Sequence, residues 1–139
     1  MSIGLWVRGA RPKTLATSIA SVMVGATMAY AHIEQSGTCI AIYPEPASCA
    51  TAREQQTLLM DRFWPVTILC LLVALFLQIA VNYANDYSDG IRGTDAGRDT
   101  DESKSGKPQR LTASGLVPAK HVLFAAMICA AIACICGIA

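Results

Sequence analysis

Three long stretches without a charged residue constrain this chain more than any other feature. They cover residues 14–33, 63–85 and 121–139, which are 20, 23 and 19 residues long. An α-helix needs about 20 apolar residues to cross the roughly 30 Å hydrocarbon layer of a bilayer, so each run can span it. Helices of a water-soluble bundle show polar residues every three or four positions, a pattern missing from these runs. Charged residues make up only 15% of the chain and hydrophobic residues 53%, whereas a soluble domain carries about 25% charged. The sequence therefore predicts an all-α polytopic membrane protein of three transmembrane helices, at about 14–33, 63–85 and 120–139, with a loop over 86–119. Its 11 Lys and Arg nearly balance its 10 Asp and Glu, so no basic excess points to a nucleic-acid partner. The third run is still apolar at Ala139, without the anchors that usually finish a membrane helix. We expect residues 1–139 to be the N-terminal part of a larger helical bundle.

The loops carry their charges unequally. Arg8, Arg11 and Lys13 precede the first span, and Arg92, Arg98, Lys104, Lys107, Arg110 and Lys120 lie between the second and third. The segment 32–62 has only Arg53 and Arg62 against Glu34, Glu45, Glu54 and Asp61. Short loops rich in Lys and Arg stay in the cytoplasm. The expected topology puts the N-terminus and the second loop on the cytoplasmic side of the cell (plasma) membrane and the first loop outside. The basic start and Ala29-Tyr30-Ala31 also suit a cleavable signal, but the apolar run exceeds the roughly 7 to 15 residues of a signal core.

Six cysteines divide into two groups. Cys70, Cys129, Cys134 and Cys136 fall in apolar spans, where a thiol behaves as a small hydrophobe. Their spacing, without a histidine cluster, gives no zinc site. Cys39 and Cys49 share the outward segment, where an oxidising compartment would allow a local disulfide.

Chemistry concentrates in residues 81–95. If the second helix continues through them, 100° per residue sets Asn82, Asp86 and Asp89 on one face with Asn85 beside them. Gly90 and Gly93 mark the helix end, after which Asp95 would return from the loop. Like charges on one face repel, and a carboxylate near hydrocarbon costs a few kcal/mol, so a cation should offset them. Oxygen donors without Cys or His select Mg²⁺ or Ca²⁺. Mg²⁺ uses one or two carboxylates and completes its shell with water and phosphate oxygens. Lys107 and Arg110 downstream suit a diphosphate. A solvated polar loop between two spans explains the same residues without a metal, and Asp99-Thr100-Asp101-Glu102 reads as a solvated insert.

The pattern Asn82-x-x-Asn85-Asp86-Tyr87-x-Asp89-x-x-x-Gly93-Thr94-Asp95, then Arg110-Leu111-x-x-Ser114-Gly115, resembles the first aspartate-rich motif of the UbiA-type intramembrane prenyltransferases. It is most similar to the branch that acts on 1,4-dihydroxy-2-naphthoate in menaquinone synthesis. Trp6 and Arg11-Pro12-Lys13-Thr14 fit the N-terminal region of that branch, and the likeness covers most of residues 4–31 and 64–139. Gly93 stands where the wider superfamily has an aspartate, a role Asp95 would fill; residues 32–62 and 96–105 are longer than the family pattern.

The resemblance implies a nine-helix bundle, of which this segment supplies three helices and one wall of the active site, so alone it should not catalyse. It implies transfer of a polyprenyl group from polyprenyl diphosphate to a ring carbon of the naphthoate. Asn85, Asp86, Asp89 and Asp95 would hold Mg²⁺, with Asp86 and Asp89 the catalytic carboxylates. Lys107 and Arg110 would meet the diphosphate, Asn82 and Asn85 would orient ligands or acceptor, and Arg11 and Lys13 would contact an anionic substrate. Membrane lipid completes the expected partners. CDP-alcohol phosphotransferases are also membrane-bound and Mg²⁺-dependent, but Gly93-Thr94 stands where their pattern requires Ala-Arg. Within the prenyltransferases, another aromatic acceptor or a haem or chlorophyll precursor is the nearer alternative; a non-enzymatic membrane protein is the other class, and it predicts no isoprenoid or Mg²⁺ dependence.

Overall fold

Pro46 opens, and Arg92 closes, a helix far longer than a membrane is thick. The computed structural model describes residues 3–36, 46–92, 111–112 and 117–139. Its elements are α1 (Ile3–Gly9), α2 (Pro12–Ser36), α3 (Pro46–Arg92) and α4 (Ala119–Ile138). At 47 residues, α3 extends about 70 Å. Its apolar middle is long enough to cross the hydrocarbon, and the helix is more than twice as long as that layer is thick. The helices α2, α3 and α4 are each long and apolar enough to cross a membrane, and the chain is an all-α, multi-pass membrane protein.

The second span reaches much further than the expected 63–85. Hydropathy marks where a helix meets lipid, not where it ends. Residues 49–62 are polar enough to leave the bilayer, yet they are rich in Ala, Arg, Glu, Gln, Leu and Met, all good helix formers. Proline at position 46 suits a first turn, whose N–H has no helical partner. Pro65 lies inside α3, near the boundary between its charged and apolar parts, and the helix continues through it. Cys49, in the first turns of α3, is disulfide-bonded; its expected partner Cys39 lies outside the described residues. Cys70, Cys129, Cys134 and Cys136 are free thiols, as their apolar surroundings predict.

Both α2 and α4 pack along α3, and α1 touches α3 beside them. Met23, Val24 and Met28 of α2 are more than half exposed, which suits a face turned to lipid. Several hydroxyls on that helix are satisfied within it. Thr17, Ser21 and Thr27 donate to the carbonyls of Thr14, Thr17 and Met23 at 2.6, 3.0 and 2.8 Å, removing polar groups that lipid cannot solvate.

The turn from α1 to α2 fixes the approach to the site. Ala10 N donates to Trp6 O at 3.0 Å and Arg11 N to Arg8 O at 3.1 Å. Arg11 adopts a φ of 52°, the left-handed cap where glycine is usual and any other residue costs roughly 1 kcal/mol. Its carbonyl accepts from both the N–H and the hydroxyl of Thr14, each at 2.9 Å. The buried core of the described residues gathers at this end: Tyr83, Leu111, Val117, Val122 and Ala126, with Leu5, Trp6 and Tyr87 packed around them.

Candidate active site

Because α3 stays helical to Arg92, Asn82, Asp86 and Asp89 do share one face. Their surroundings differ sharply. Asn82 is 3% exposed and Asp86 2%, while Asp89 is half-buried and Asn85 exposed. One turn of helix thus separates a sealed carboxylate from an accessible one.

Asn82 is engaged on every side. Its Nδ2 donates to Ala10 O at 2.8 Å and Thr14 Oγ1 at 3.0 Å, tying α3 to the α1–α2 turn. Its Oδ1 accepts from Gln78 Nε2 at 3.3 Å, and Gln78 Oε1 accepts from Ser18 Oγ at 3.2 Å. Ser18, Gln78, Asn82 and Thr14 form a hydrogen-bonded ladder between two membrane helices. Interhelical bonds of this kind are worth about 0.6 to 2 kcal/mol each in a membrane. Asn82, expected to orient ligands or acceptor, here ties the helix junction through its amide. Gln78 and Ser18 were missed, although Gln78 stands four residues before Asn82 on the same face.

Leu111 and Thr112 return to this end from the connecting segment. Leu111 is fully buried, and its N–H donates to Asp86 Oδ2 at 2.8 Å. It sits against Gly9, where an added Cβ would come within 2.9 Å of Leu111 Cγ and 3.1 Å of Tyr83 Cε1. Thr112 lies over Gly90, whose missing side chain leaves it room. Tyr83 completes the packing: its hydroxyl donates to Trp6 O at 2.9 Å, and the two rings meet edge to face at 5.7 Å. Beside them, an apolar hollow of about 360 Å³ is bounded by Trp6, Phe124, Ala125 and Ile128, with His121 on its rim.

Arg11 is half-buried and Lys13 exposed, next to the ladder that holds Asn82. Asp95, Lys107 and Arg110 lie outside the described residues. Among the described residues no three His, Cys, Asp or Glu side chains form a metal cage. The described oxygen donors on this face are Asn82, Asn85, Asp86 and Asp89, a type that suits a hard cation.

Fold and site together define a membrane-embedded helical segment whose central helix ends in an amide- and carboxylate-rich face. Over 139 residues the chain is 34% identical to a 1,4-dihydroxy-2-naphthoate octaprenyltransferase of Mycobacterium leprae (strain TN), covering 99% of the chain and 35% of that protein. The enzyme of the same name from Mycobacterium tuberculosis (strain ATCC 25618 / H37Rv) is 37% identical over 137 residues, with the same coverage. That of Haemophilus influenzae (strain ATCC 51907 / DSM 11121 / KW20 / Rd) is 29% identical over 118 residues, or 85% of the chain and 28% of the protein. The resemblance read from residues 82–115 is borne out by these relatives. The chain spans about a third of the length of the mycobacterial proteins it matches. No family model matches it, and no solved structure does.

Proposed function

We propose that this chain forms part of an intramembrane prenyltransferase that moves a polyprenyl group from its diphosphate to 1,4-dihydroxy-2-naphthoate, a step toward menaquinone. The observation that supports it most is one of position. The asparagine- and aspartate-rich motif ends a membrane helix where the buried core of the described residues gathers, in a chain similar over 99% of its length to two enzymes of that name.

Asp89 and Asn85, the accessible oxygen donors on the last turns of α3, would hold Mg²⁺, with Asp95 as a further ligand. The bound metal supplies charge to stabilise a departing diphosphate. Lys107 and Arg110 would take the diphosphate charge that remains, and Arg11 and Lys13 would orient the anionic naphthoate. The apolar walls around Trp6 and Phe124 would exclude water from the allylic cation until the electron-rich ring attacks it. The ring then loses its carboxyl group. The N-terminus and the segment between α3 and α4 face the cytoplasm of a cell membrane in this reading, and the Cys49 end of α3 faces outward.

The test is prenyl transfer by the intact membrane protein, supplied with polyprenyl diphosphate and the naphthoate. Activity should appear with Mg²⁺ and vanish when the metal is chelated. Activity in chelator would refute the metal, and no transfer under any condition would refute the reaction. Topology is checked separately with cysteine probes in sealed cells: a probe at Gln55 should label from outside and one at Ser105 should not.

A further inference from the structure

We infer that Asp86 is a positioning residue that clasps the returning segment at Leu111, and that Asp89, one turn later, faces the metal. This rests on the prenyltransferase reading and divides the labour within its motif. Four observations carry it. Asp86 is 2% exposed, which leaves little surface for a hydrated metal to approach, whereas Asp89 is half-buried. Asp86 Oδ2 accepts the Leu111 N–H at 2.8 Å across 25 residues of sequence, a charge-assisted bond sealed from water. Leu111 is itself fully buried, in a space kept open by Gly9. Thr112 is seated over Gly90 in the same way. Two glycines and one carboxylate thus fasten a two-residue stretch to α1 and α3.

The geometry gives the clasp a purpose. Leu111 follows Arg110 directly in the sequence and Lys107 by four residues; in the prenyltransferase reading these are the cations that meet the diphosphate, so the clasp would matter most for that substrate. A carboxylate is well suited to this. It binds a backbone N–H more strongly than a neutral acceptor does.

The experiment uses the intact protein in detergent with Asp86→Asn, which keeps an acceptor oxygen, and Asp86→Leu, similar in shape without one. Amide hydrogen exchange at Leu111 is the readout independent of activity. Exchange should accelerate roughly 10- to 100-fold in Asp86→Leu and less than about fivefold in Asp86→Asn. Asp86→Leu should raise KM for polyprenyl diphosphate about tenfold with little change in KM for the naphthoate, and Asp86→Asn should restore it. The Mg²⁺ midpoint should move less than about threefold in Asp86→Asn, because an amide replaces a carboxylate that does not bind the metal. A Mg²⁺ midpoint shifted about tenfold or more in Asp86→Asn, with Leu111 still protected, would make Asp86 a ligand and overturn the proposal. Equal Leu111 exchange in wild type and Asp86→Leu would overturn it as well. Should Asp86→Leu fail to fold, the exchange and Mg²⁺ results for Asp86→Asn still decide. A wild-type protein without prenyl transfer would refute the reaction and leave the exchange measurement to judge the clasp.

Discussion

At the Asp86 end of α3, Leu111, Val117 and Val122 are buried to within 2% of their surface, and two glycines are pressed by neighbouring side chains. Halfway along α2 the opposite holds. Gly25, Ala26 and Ala29 line an apolar cavity of about 500 Å³ together with Arg62, Phe63, Val66 and Cys70 of α3, and beyond its chain neighbours and the backbone of its own helix nothing lies within 4 Å of where a Gly25 Cβ would stand. The α2–α3 pair is therefore pinned by polar bonds at one end, beside the close packing of α1, α3 and α4, and meets in a loose apolar contact further along. In lipid there is no hydrophobic drive to press the loose part shut, because acyl chains solvate it as well as protein does. Close packing appears at the end that carries the carboxylate face, where the proposed function would need fixed geometry.

The largest effect belongs to the accessible carboxylate. In the intact protein, Asp89→Asn should lower Mg²⁺-dependent prenyl transfer by at least roughly 100-fold, the scale of losing one well-placed electrostatic contact. It should leave thermal stability unchanged or slightly raised, since charges at a site are held there against stability. Transfer assays beside melting curves separate the two. Near-normal turnover, or inactivity explained entirely by unfolding, would break the link between the packed end and catalysis.

How much of this was legible in the sequence follows from the physics of each feature. Uncharged runs revealed three membrane helices because their signal is carried by some twenty residues at once. The shared face of Asn82, Asp86 and Asp89 was legible because helical periodicity is rigid. The roles within that face were not. Nothing local marks Asp86 as the carboxylate that accepts the Leu111 N–H, because the partner lies 25 residues away. Asn82 shows the same limit: its partners Ala10 and Thr14 are 72 and 68 residues distant. The extra turns of α3 before Phe63 escaped for another reason. Charge marked them as outside the membrane, and charge says little about whether an Ala-, Glu- and Gln-rich stretch is helical.

A matched pair of substitutions sharpens the contrast between the two regions. Gly9→Ala puts a methyl group against Leu111 and Tyr83, and Leu111, fully buried, has no open side to move toward. Overpacking of this kind costs about 1 to 3 kcal/mol, measured as reduced resistance to unfolding in detergent. The Leu111 N–H should exchange faster in the same variant, because the methyl group displaces the residue that Asp86 holds. A Gly9→Ala protein as stable as wild type would show that the packed end is softer than its distances imply.

Gly25→Ala is the other half of the pair and should do the least. Its Cβ would enter the cavity wall without meeting an atom, so no packing term opposes it. Alanine also favours a helix interior over glycine by about 1 kcal/mol, and in α2 that preference stands alone. The variant should match wild type or exceed it by up to about 1 kcal/mol, with prenyl transfer unaltered because Gly25 touches nothing at the carboxylate end. Unfolding measured side by side with Gly9→Ala gives the difference directly, free of errors shared by the two experiments. A loss of more than about 1 kcal/mol at Gly25 would mean that another surface of the intact protein rests against it. The loose region would then be an interface, and the two ends of the helix pair would differ in partner and not in tightness.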